Sequence, residues 1–433
     1  MNIQLDSIRA INVNQHFELS RSKLDIYVLA GVMFYLVTVV FEGPIRQVLS
    51  FLNVGTLLYI RDLVVMLVIM ATVCAIILNN GTLIGPLFIS IYFLLLYLFI
   101  GLLISNVTLF AGLFGLKIFS ITLLGIALSY YLTSLEPYIY RFTFFFLVVT
   151  TLGVFLNFII GKFPWEGLEF ETAFGVATTT REWWTQHGGR RLPGFTRASF
   201  DAAMIIGISF AYIINRLSKT RALLFGIICL VAVYLTTSKG MVIALILVLV
   251  WYLAPLGRLR ITIGRILIIS LLLILIALPL FSCITSSSFR DFAELPSILF
   301  SFVDRIVNTW PRSCLLLSEP YNWLLGNGVG SIGVPLQYNF AARLFSPADN
   351  LFVYIFVTGG IIWSFGLIFT IAKALGPPKS FGQFYDDWNI RIYALIIVIL
   401  GYGITSNMHE QPFYSVYAGL LIGIVWRSRH AQD

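Results

Sequence analysis

Charged residues are scarce in this chain of 433 residues, of which 11% are charged and 59% are hydrophobic. The mean hydropathy is +0.91. Because an ordinary soluble domain has about 25% charged residues, this composition excludes the soluble globular class. The sequence therefore predicts an all-α polytopic membrane protein, organised as a single transmembrane domain over residues 1–433.

Residue patterns for metal and nucleotide chemistry are lacking. His16, His187, His409 and His430 are scattered along the chain, and there is no HExxH or CxxC motif and no carboxylate cluster at metal-ligand spacing. A GxxxxGK[ST] phosphate loop is also missing. Any reaction is therefore predicted to need no metal, cofactor or ATP, so its energy must come from the substrate.

Cysteine is rare as well, with four residues in the whole chain. Cys74 and Cys229 fall inside apolar segments. Cys283 and Cys314 lie near or in the long segment at residues 285–350. The latter two could form a disulfide, but the spacing alone does not show that their geometry allows it.

Apolar segments long enough to cross a bilayer are abundant. We expect about twelve membrane-spanning helices, because an isolated span must satisfy its own backbone hydrogen bonds in lipid. Their predicted cores are Leu24 to Val40, Leu63 to Leu78, Leu83 to Ile104, Leu109 to Leu132, Phe142 to Ile160, Phe200 to Ile214, Ala222 to Leu235, Met241 to Leu253, Ile266 to Phe281, Leu351 to Ile371, Ile392 to Ile404 and Phe413 to Trp426.

The short loops predict the orientation, since Lys and Arg accumulate in cytoplasmic loops. Five basic groups fall on one side only if both termini are cytoplasmic and the number of spans is even. These groups are Arg9, Arg21 and Lys23; Arg216, Lys219 and Arg221; Arg258, Arg260 and Arg265; Lys373, Lys379 and Arg391; and Arg427 and Arg429.

Two long segments, residues 162–199 and 285–350, are then predicted to lie on the opposite side. Both are rich in Trp, Phe and Leu, which argues against disorder. The second is expected to contain short helices on the membrane surface, because its apolar residues recur at helical spacing.

Cations on this second side run against the usual charge bias and predict an anion site, with lipid-linked phosphate as the obvious ligand. They are Arg190, Arg191, Arg197, Lys239, Arg290, Arg305, Arg312 and Arg343.

Several of these cations have a structural alternative. Arg190 could contact lipid headgroups, and Arg197 could simply pair with Asp201 four residues later. Arg191 is followed by Pro193 and Gly194, which favour a turn that aims it over the membrane face.

Lys239 could be an interfacial anchor, but Thr236, Thr237, Ser238 and Gly240 around it give the start of a helix with donors for an anion.

Arg305 could form a solvated pair with Asp304, or share the face of a short helix with Asn308 and Thr309. Arg290 and Arg312 look like surface or headgroup contacts. Asp349 and Asn350 fit a helix N-cap equally well, while Asp349 could instead act as a general base facing the cations.

The order of these motifs resembles the bacterial O-antigen polymerase and O-antigen ligase superfamily. The similarity is carried by Arg191 and Gly194 in RLPGF, by Lys239 in TTSKG, by Arg305 and Trp310 with GNGVGS at 326–331, by Asp349 and Asn350 with Gly359 and Gly360, and by FEGPIRQ at 41–47 followed by Arg61 and Asp62. It covers most of the chain from Phe41 to about Gly360.

The resemblance implies a glycosyltransferase fold of the C type in the bacterial inner membrane, active at the periplasmic face. It implies that undecaprenyl-pyrophosphate-linked oligosaccharide repeat units are joined into a polysaccharide, with a flippase and a chain-length regulator as pathway partners. Arg191, Lys239, Arg305 and Asp349 would be catalytic, and Arg190, Arg197, Arg290 and Asn350 would bind substrate. Arg61 and Lys117 are secondary candidates, and no nucleic acid is expected.

Two other functions remain open at this point. Ligases of the family have a histidine where this chain has Asp349, which favours a polymerase over a ligase. A flippase or another transporter is the non-enzyme alternative, but transporters often show internal repeats and polar residues inside several spans, which are not evident here.

Overall fold

The computed structural model describes residues 23–78, 85–172, 175–185, 188–257, 259–285, 300–339, 347–376 and 385–427. The protein is mostly helical, at 79%. Its α-helices in chain order are α1 (Lys23–Val40), α2 (Glu42–Phe51), α3 (Ile60–Leu78), α4 (Pro86–Leu103), α5 (Leu109–Ser129), α6 (Leu132–Ile160), α7 (Ser199–Ile213), α8 (Lys219–Leu235), α9 (Lys239–Leu253), α10 (Leu259–Thr285), α11 (Phe300–Asp304), α12 (Trp310–Cys314), α13 (Pro320–Leu325), α14 (Leu351–Leu375), α15 (Tyr385–Gly403) and α16 (Pro412–Arg427).

Seven helical segments in the described ranges are long and apolar enough to cross a membrane. They are α1, the segment Gly55–Leu78 that ends with α3, and α4, α5, α6, α10 and α14. Helices α7, α8, α9, α15 and α16 cover the other predicted spans, so a helix stands at each of the twelve positions. The number that cross the membrane stays a prediction.

Helix α7 lies at the centre of the bundle. All but one of its fifteen residues are buried, and it packs against α6, α8, α9, α15 and α16. A helix that is apolar all round is expected in such a position, because no face has to meet water. Helices α5 and α16 approach closely along Gly125, Gly419 and Gly423, where a side chain would collide with the facing helix.

The segment 162–199, called the first loop below, contains β-structure that the sequence did not predict. Strands β1 (Glu169–Thr172) and β2 (Gly175–Thr178) form one antiparallel hairpin, and β3 (Trp183–Trp184) and β4 (Arg190–Arg191) form another. The all-α prediction is therefore incomplete. Strands of two to four residues show too little alternation of polar and apolar side chains to be recognised in the sequence.

The segment 285–350, called the second loop, contains the short helices α11, α12 and α13 in its described part, together with a π-helical turn at Arg305–Thr309. A disulfide between Cys283 and Cys314 joins the end of α10 to the end of α12. The pairing that the sequence left open is therefore present in the structure.

A glycine-rich segment, residues 326–333, inserts the second loop between α4, α5 and α14. The backbone N–H groups of Asn327 and Gly328 donate to the carbonyls of Val357 and Thr358 in α14, at 2.8 and 2.9 Å. The N–H of Val329 donates to Tyr97 of α4 at 3.0 Å.

Helix α14 has a break that frees these carbonyls. Gly360 has a φ of +60°, which is not helical, so the helix is kinked there. A Cβ atom at Gly328 would overlap the backbone of Gly101 in α4. The glycines thus allow non-helical backbone to pass between helices with its hydrogen bonds satisfied.

Candidate functional site

Both loops meet at one end of the helix bundle, which is called the loop face below. The first loop supplies Arg191 from strand β4, opposite Trp183 of β3. The guanidinium carbon of Arg191 lies 5.9 Å from the centre of the Trp183 ring, a cation–π distance. Gly194 follows in a left-handed conformation (φ +61°), with its Cα against the backbone of Gly153 in α6. This turn fixes the strand that carries Arg191.

Arg305 and Asp349 form the second part of the site. Nε of Arg305 lies 3.3 Å from Oδ2 of Asp349, and both side chains are partly exposed. Nη1 of Arg305 also donates to the carbonyl and the hydroxyl of Ser301, at 2.8 and 2.7 Å. Arg305 begins the π-helical turn, a feature that is frequent at functional sites.

Asp349 has an unusual backbone conformation. Its φ is +46° and that of Ala348 is +63°, so two consecutive residues with a Cβ atom occupy the left-handed region. This conformation costs free energy at residues other than glycine. The strain is maintained at the point where the second loop enters α14, and it sets the direction of the carboxylate.

The charges of Arg191, Arg305 and Asp349 act on one another. Burial lowers the pKa of Arg191, and the charge of Arg305 lowers it further. Burial raises the pKa of Asp349, while Arg305 and Arg191 oppose that rise. In the part of the chain that the structure describes, Arg191 has no carboxylate within 4 Å. The charge of Asp304 also raises the pKa of Asp349, so two guanidinium groups and two carboxylates lie near one another at this point.

Lys239 is the exposed first residue of α9. The turn before it lies next to the segment that carries Arg191. The N–H of Leu192, which follows Arg191, donates to Leu235 at the end of α8 at 3.4 Å. Tyr402, near the end of α15, hydrogen-bonds the side chain of Ser238 and lies close enough to Arg191 and Arg305 for electrostatic interaction. The three predicted catalytic cations are thus carried by adjoining segments.

Tyr402 was not a candidate in the sequence. It lies in the run GYGITSN, which has no recognisable motif, and only the packing of α15 against α9 brings it to the site.

Arg190 has a different environment from its neighbour. Its guanidinium pairs with Glu166, which is 2% exposed, and approaches Glu182 at 4.0 Å. Successive residues of a strand point to opposite faces, so Arg190 turns towards the body of the first loop while Arg191 does not. Its described contacts are those of a residue that stabilises the loop.

Asn350 is fully buried and its amide group is engaged within the protein. Oδ1 accepts from the N–H of Val353 at 3.0 Å, which caps α14. Nδ2 donates to the carbonyls of Ile404 at 3.1 Å and Leu275 at 3.4 Å. The helix-cap alternative accounts for the Oδ1 contact, Nδ2 joins the start of α14 to α10 and to the end of α15, and the predicted substrate contact stays a prediction.

Arg197 belongs to a second group of charges on the loop face. It pairs with Asp201 across 3.7 Å, the i to i+4 pair anticipated as the structural alternative. Burial alone would lower the pKa of Arg197, but the carboxylates of Asp201 and Glu42 reverse this and raise it.

Glu42 is the centre of this second group. Its side chain is 5% exposed and pairs with both Arg46 and Arg61, the latter at 3.1 Å. Burial would raise the pKa of Glu42, but these two guanidinium groups hold it far below its usual range. Arg61 therefore has a buried partner, and Lys117, the other secondary candidate, pairs with Asp62 at 2.7 Å.

Two of the predicted cations are not placed. Arg290, a predicted substrate-binding residue, and Arg343 lie outside the described residues. Arg312 is exposed on α12.

Comparison with known proteins gives no further guide to the function. Neither a protein-family model nor a curated protein nor a solved structure matches this chain.

Proposed function

We propose that this protein is a polysaccharide polymerase. It would be a glycosyltransferase with a fold of the C type that joins oligosaccharide repeat units linked to undecaprenyl pyrophosphate. The observation that carries the proposal is the position of Arg191 and Arg305 near the carboxylate of Asp349 at the loop face. Two neighbouring guanidinium groups suit a pyrophosphate leaving group, because they can donate charge-assisted hydrogen bonds to its oxygens.

In the proposed reaction, a hydroxyl group of the acceptor repeat unit gives its proton to a carboxylate of the loop face, and its oxygen forms a bond to the anomeric carbon of the donor glycan. The bond between that carbon and the pyrophosphate oxygen breaks, and its electron pair stays on the pyrophosphate. Arg191 and Arg305 stabilise this negative charge, and Lys239 adds a third cation from the start of α9. The growing chain is transferred and the lipid-linked pyrophosphate is released.

The fixed position of the cations supports this role. Arg305 is held by Ser301 and Asp349, and Arg191 is held by the β3–β4 hairpin and the Trp183 ring. Donors that are already in place need no reorganisation when charge develops, which is the basis of electrostatic stabilisation in enzymes.

The disulfide between Cys283 and Cys314 supports a periplasmic loop face. Disulfides persist in oxidising compartments and are rare in the cytosol. Cys283 precedes the second loop and Cys314 lies within it, and the same loop carries Arg305. This is consistent with cytoplasmic termini, a bacterial inner-membrane location and a reaction at the periplasmic face.

The test is polymerisation in vitro. Purified protein in lipid nanodiscs is incubated with the lipid-linked repeat unit isolated from its own host, and the products are separated by size. We expect a ladder of lipid-linked polymers from the wild type, a strongly reduced ladder from Arg191→Gln and Arg305→Gln, and an unchanged ladder from the control Arg312→Gln.

Other outcomes would contradict the proposal. Transfer of one glycan to a different acceptor without a ladder would identify a ligase, and movement of the substrate across the bilayer without new bonds would identify a flippase. An unchanged ladder from both arginine variants would remove the proposed leaving-group site.

A further inference from the structure

We propose that Glu410 is the group that accepts the proton of the acceptor hydroxyl in this reaction. The inference rests on the function proposed above, and it adds a catalytic residue that the sequence patterns did not single out. Glu410 lies in the connection between α15 and α16, on the loop face.

The environment of Glu410 leaves its carboxylate available. Oε1 accepts a hydrogen bond from the backbone N–H of Val334 in the second loop. Within the described residues, no Lys, Arg or His nitrogen lies within 4 Å of it to form an ion pair. Glu410 as a whole is half-buried.

The neighbouring histidine does not supply a charge. The ring of His409 is enclosed between Phe119 and Tyr354, whose centres are 5.5 and 5.4 Å away. Burial lowers the pKa of His409 to about 4, so the imidazole is neutral near pH 7. It therefore neither pairs with Glu410 nor takes up a proton at this pH.

The groups that face Glu410 give it the properties of a base that works near neutral pH. Burial raises the pKa of Glu410 to about 7, and the nearby charge of Asp349 contributes to the rise. The Val334 N–H, Arg197 and Arg181 oppose it. A general base is most effective when its pKa is close to the working pH.

Asp349 is less suited to the same task. Its carboxylate is paired with Arg305 at 3.3 Å and also interacts with Arg191. Burial raises the pKa of Asp349, but these guanidinium groups stabilise the ionised form and offset part of the rise, which makes the carboxylate a weaker proton acceptor. The two acids thus have different roles. Asp349 positions the cations, and Glu410 accepts the proton.

The proposed step balances. The acceptor O–H proton moves to the Glu410 carboxylate, and the oxygen electron pair forms the new bond to the anomeric carbon. The bond from that carbon to the pyrophosphate oxygen breaks, with its electrons leaving on the pyrophosphate. Glu410 then returns the proton to water.

The first test is Glu410→Gln in the polymerisation assay. Glutamine has the same shape and keeps an oxygen that accepts from the Val334 N–H, so a merely structural role predicts little loss. A base role predicts a kcat lower by about 10² to 10⁴-fold with KM little changed. Glu319→Gln, at an exposed glutamate of the second loop, is the matched control.

The second test is the pH profile. In the wild type, kcat is expected to rise with pH as Glu410 ionises around pH 7, and this rise should disappear in Glu410→Gln. Asp349→Asn should lower activity but keep the rise. Glu410→Asp should recover part of the rate with a displaced profile.

The outcomes are distinct. If the wild type forms polymer and Glu410→Gln keeps its rate and pH profile, Glu410 is not the base. If Asp349→Asn alone loses the pH-dependent rise, Asp349 is the base instead. If the wild type forms no polymer from its lipid-linked substrate, the proposed function itself fails, and the role of Glu410 with it.

Discussion

Removal of the Arg191 guanidinium gives the sharpest test of the anion site. Arg191 has no carboxylate within 4 Å in the described part of the chain and lies beside the like charge of Arg305. Arg191→Gln therefore leaves no buried anion without a partner. We expect the variant to fold with unchanged or slightly higher thermal stability, because it removes repulsion between two cations.

The expected loss of binding follows from the contacts that the guanidinium can make. Hydrogen bonds to charged groups contribute about 1.5 to 3 kcal/mol each. Since every 1.4 kcal/mol corresponds to about a tenfold change in affinity, loss of one such contact should weaken pyrophosphate binding by about tenfold to a hundredfold.

Inorganic pyrophosphate serves as the probe, so the sugar need not be known. The unfolding temperature of the protein in detergent is measured over a range of pyrophosphate concentrations, since a ligand of the folded state stabilises it by RT ln(1 + L/Kd), where L is the free ligand concentration. We expect the curve for Arg191→Gln to shift to about 10 to 100 times higher concentration. The curve for Arg312→Gln should match the wild type.

Two results would refute this reasoning. If Arg191→Gln binds pyrophosphate as well as the wild type, Arg191 is not part of an anion site. If Arg191→Gln and Arg312→Gln weaken binding equally, the effect reflects general surface charge and not a defined site.

Two further predictions concern stability. Glu42→Gln should lower the stability of the folded protein by about 3 to 5 kcal/mol, because it leaves two buried guanidinium groups without their anion. Thermal unfolding of this variant is compared with that of the control Glu319→Gln. Equal melting temperatures for the two variants would contradict the prediction. Reduction of the disulfide between Cys283 and Cys314, which are 31 residues apart, should destabilise the protein by about 4 kcal/mol. Dithiothreitol should lower the melting temperature of the wild type but not that of Cys283→Ser. An equal decrease in both would argue against this disulfide.

The sequence predicted the parts of the structure that depend on local pattern. Each predicted span coincides with a helix because a long apolar run in lipid has no better way to satisfy its backbone. The short helices of the second loop follow from apolar spacing in the same way.

Contacts between segments that are distant in the sequence could not be predicted from it. The two hairpins of the first loop are too short to leave a periodic signal, and the partner of Arg190 is Glu166, 24 residues earlier. Neither the position of Glu410 beside Val334 nor that of Tyr402 beside Ser238 has a local signature, because each depends on how helices pack.

The candidate site, too, could be predicted only in part from the sequence. Basic residues in segments predicted to lie opposite the basic short loops were a visible anomaly in the sequence, and the structure brings Arg191, Arg305 and Asp349 together. Which arginines already have partners was not visible. Arg61 and Arg197 resemble Arg191 in the sequence, yet both have buried carboxylates beside them.

The glycine-rich segment of the second loop has a consequence for motion. Its amides at Asn327, Gly328 and Val329 are bonded to α14 and α4 and are shielded like those of a buried helix. Their hydrogen exchange should therefore be as slow as that of the bundle and should require the helices to separate. The second loop is anchored at its middle, so residues 327–329 do not move away from the bundle as part of a free lid.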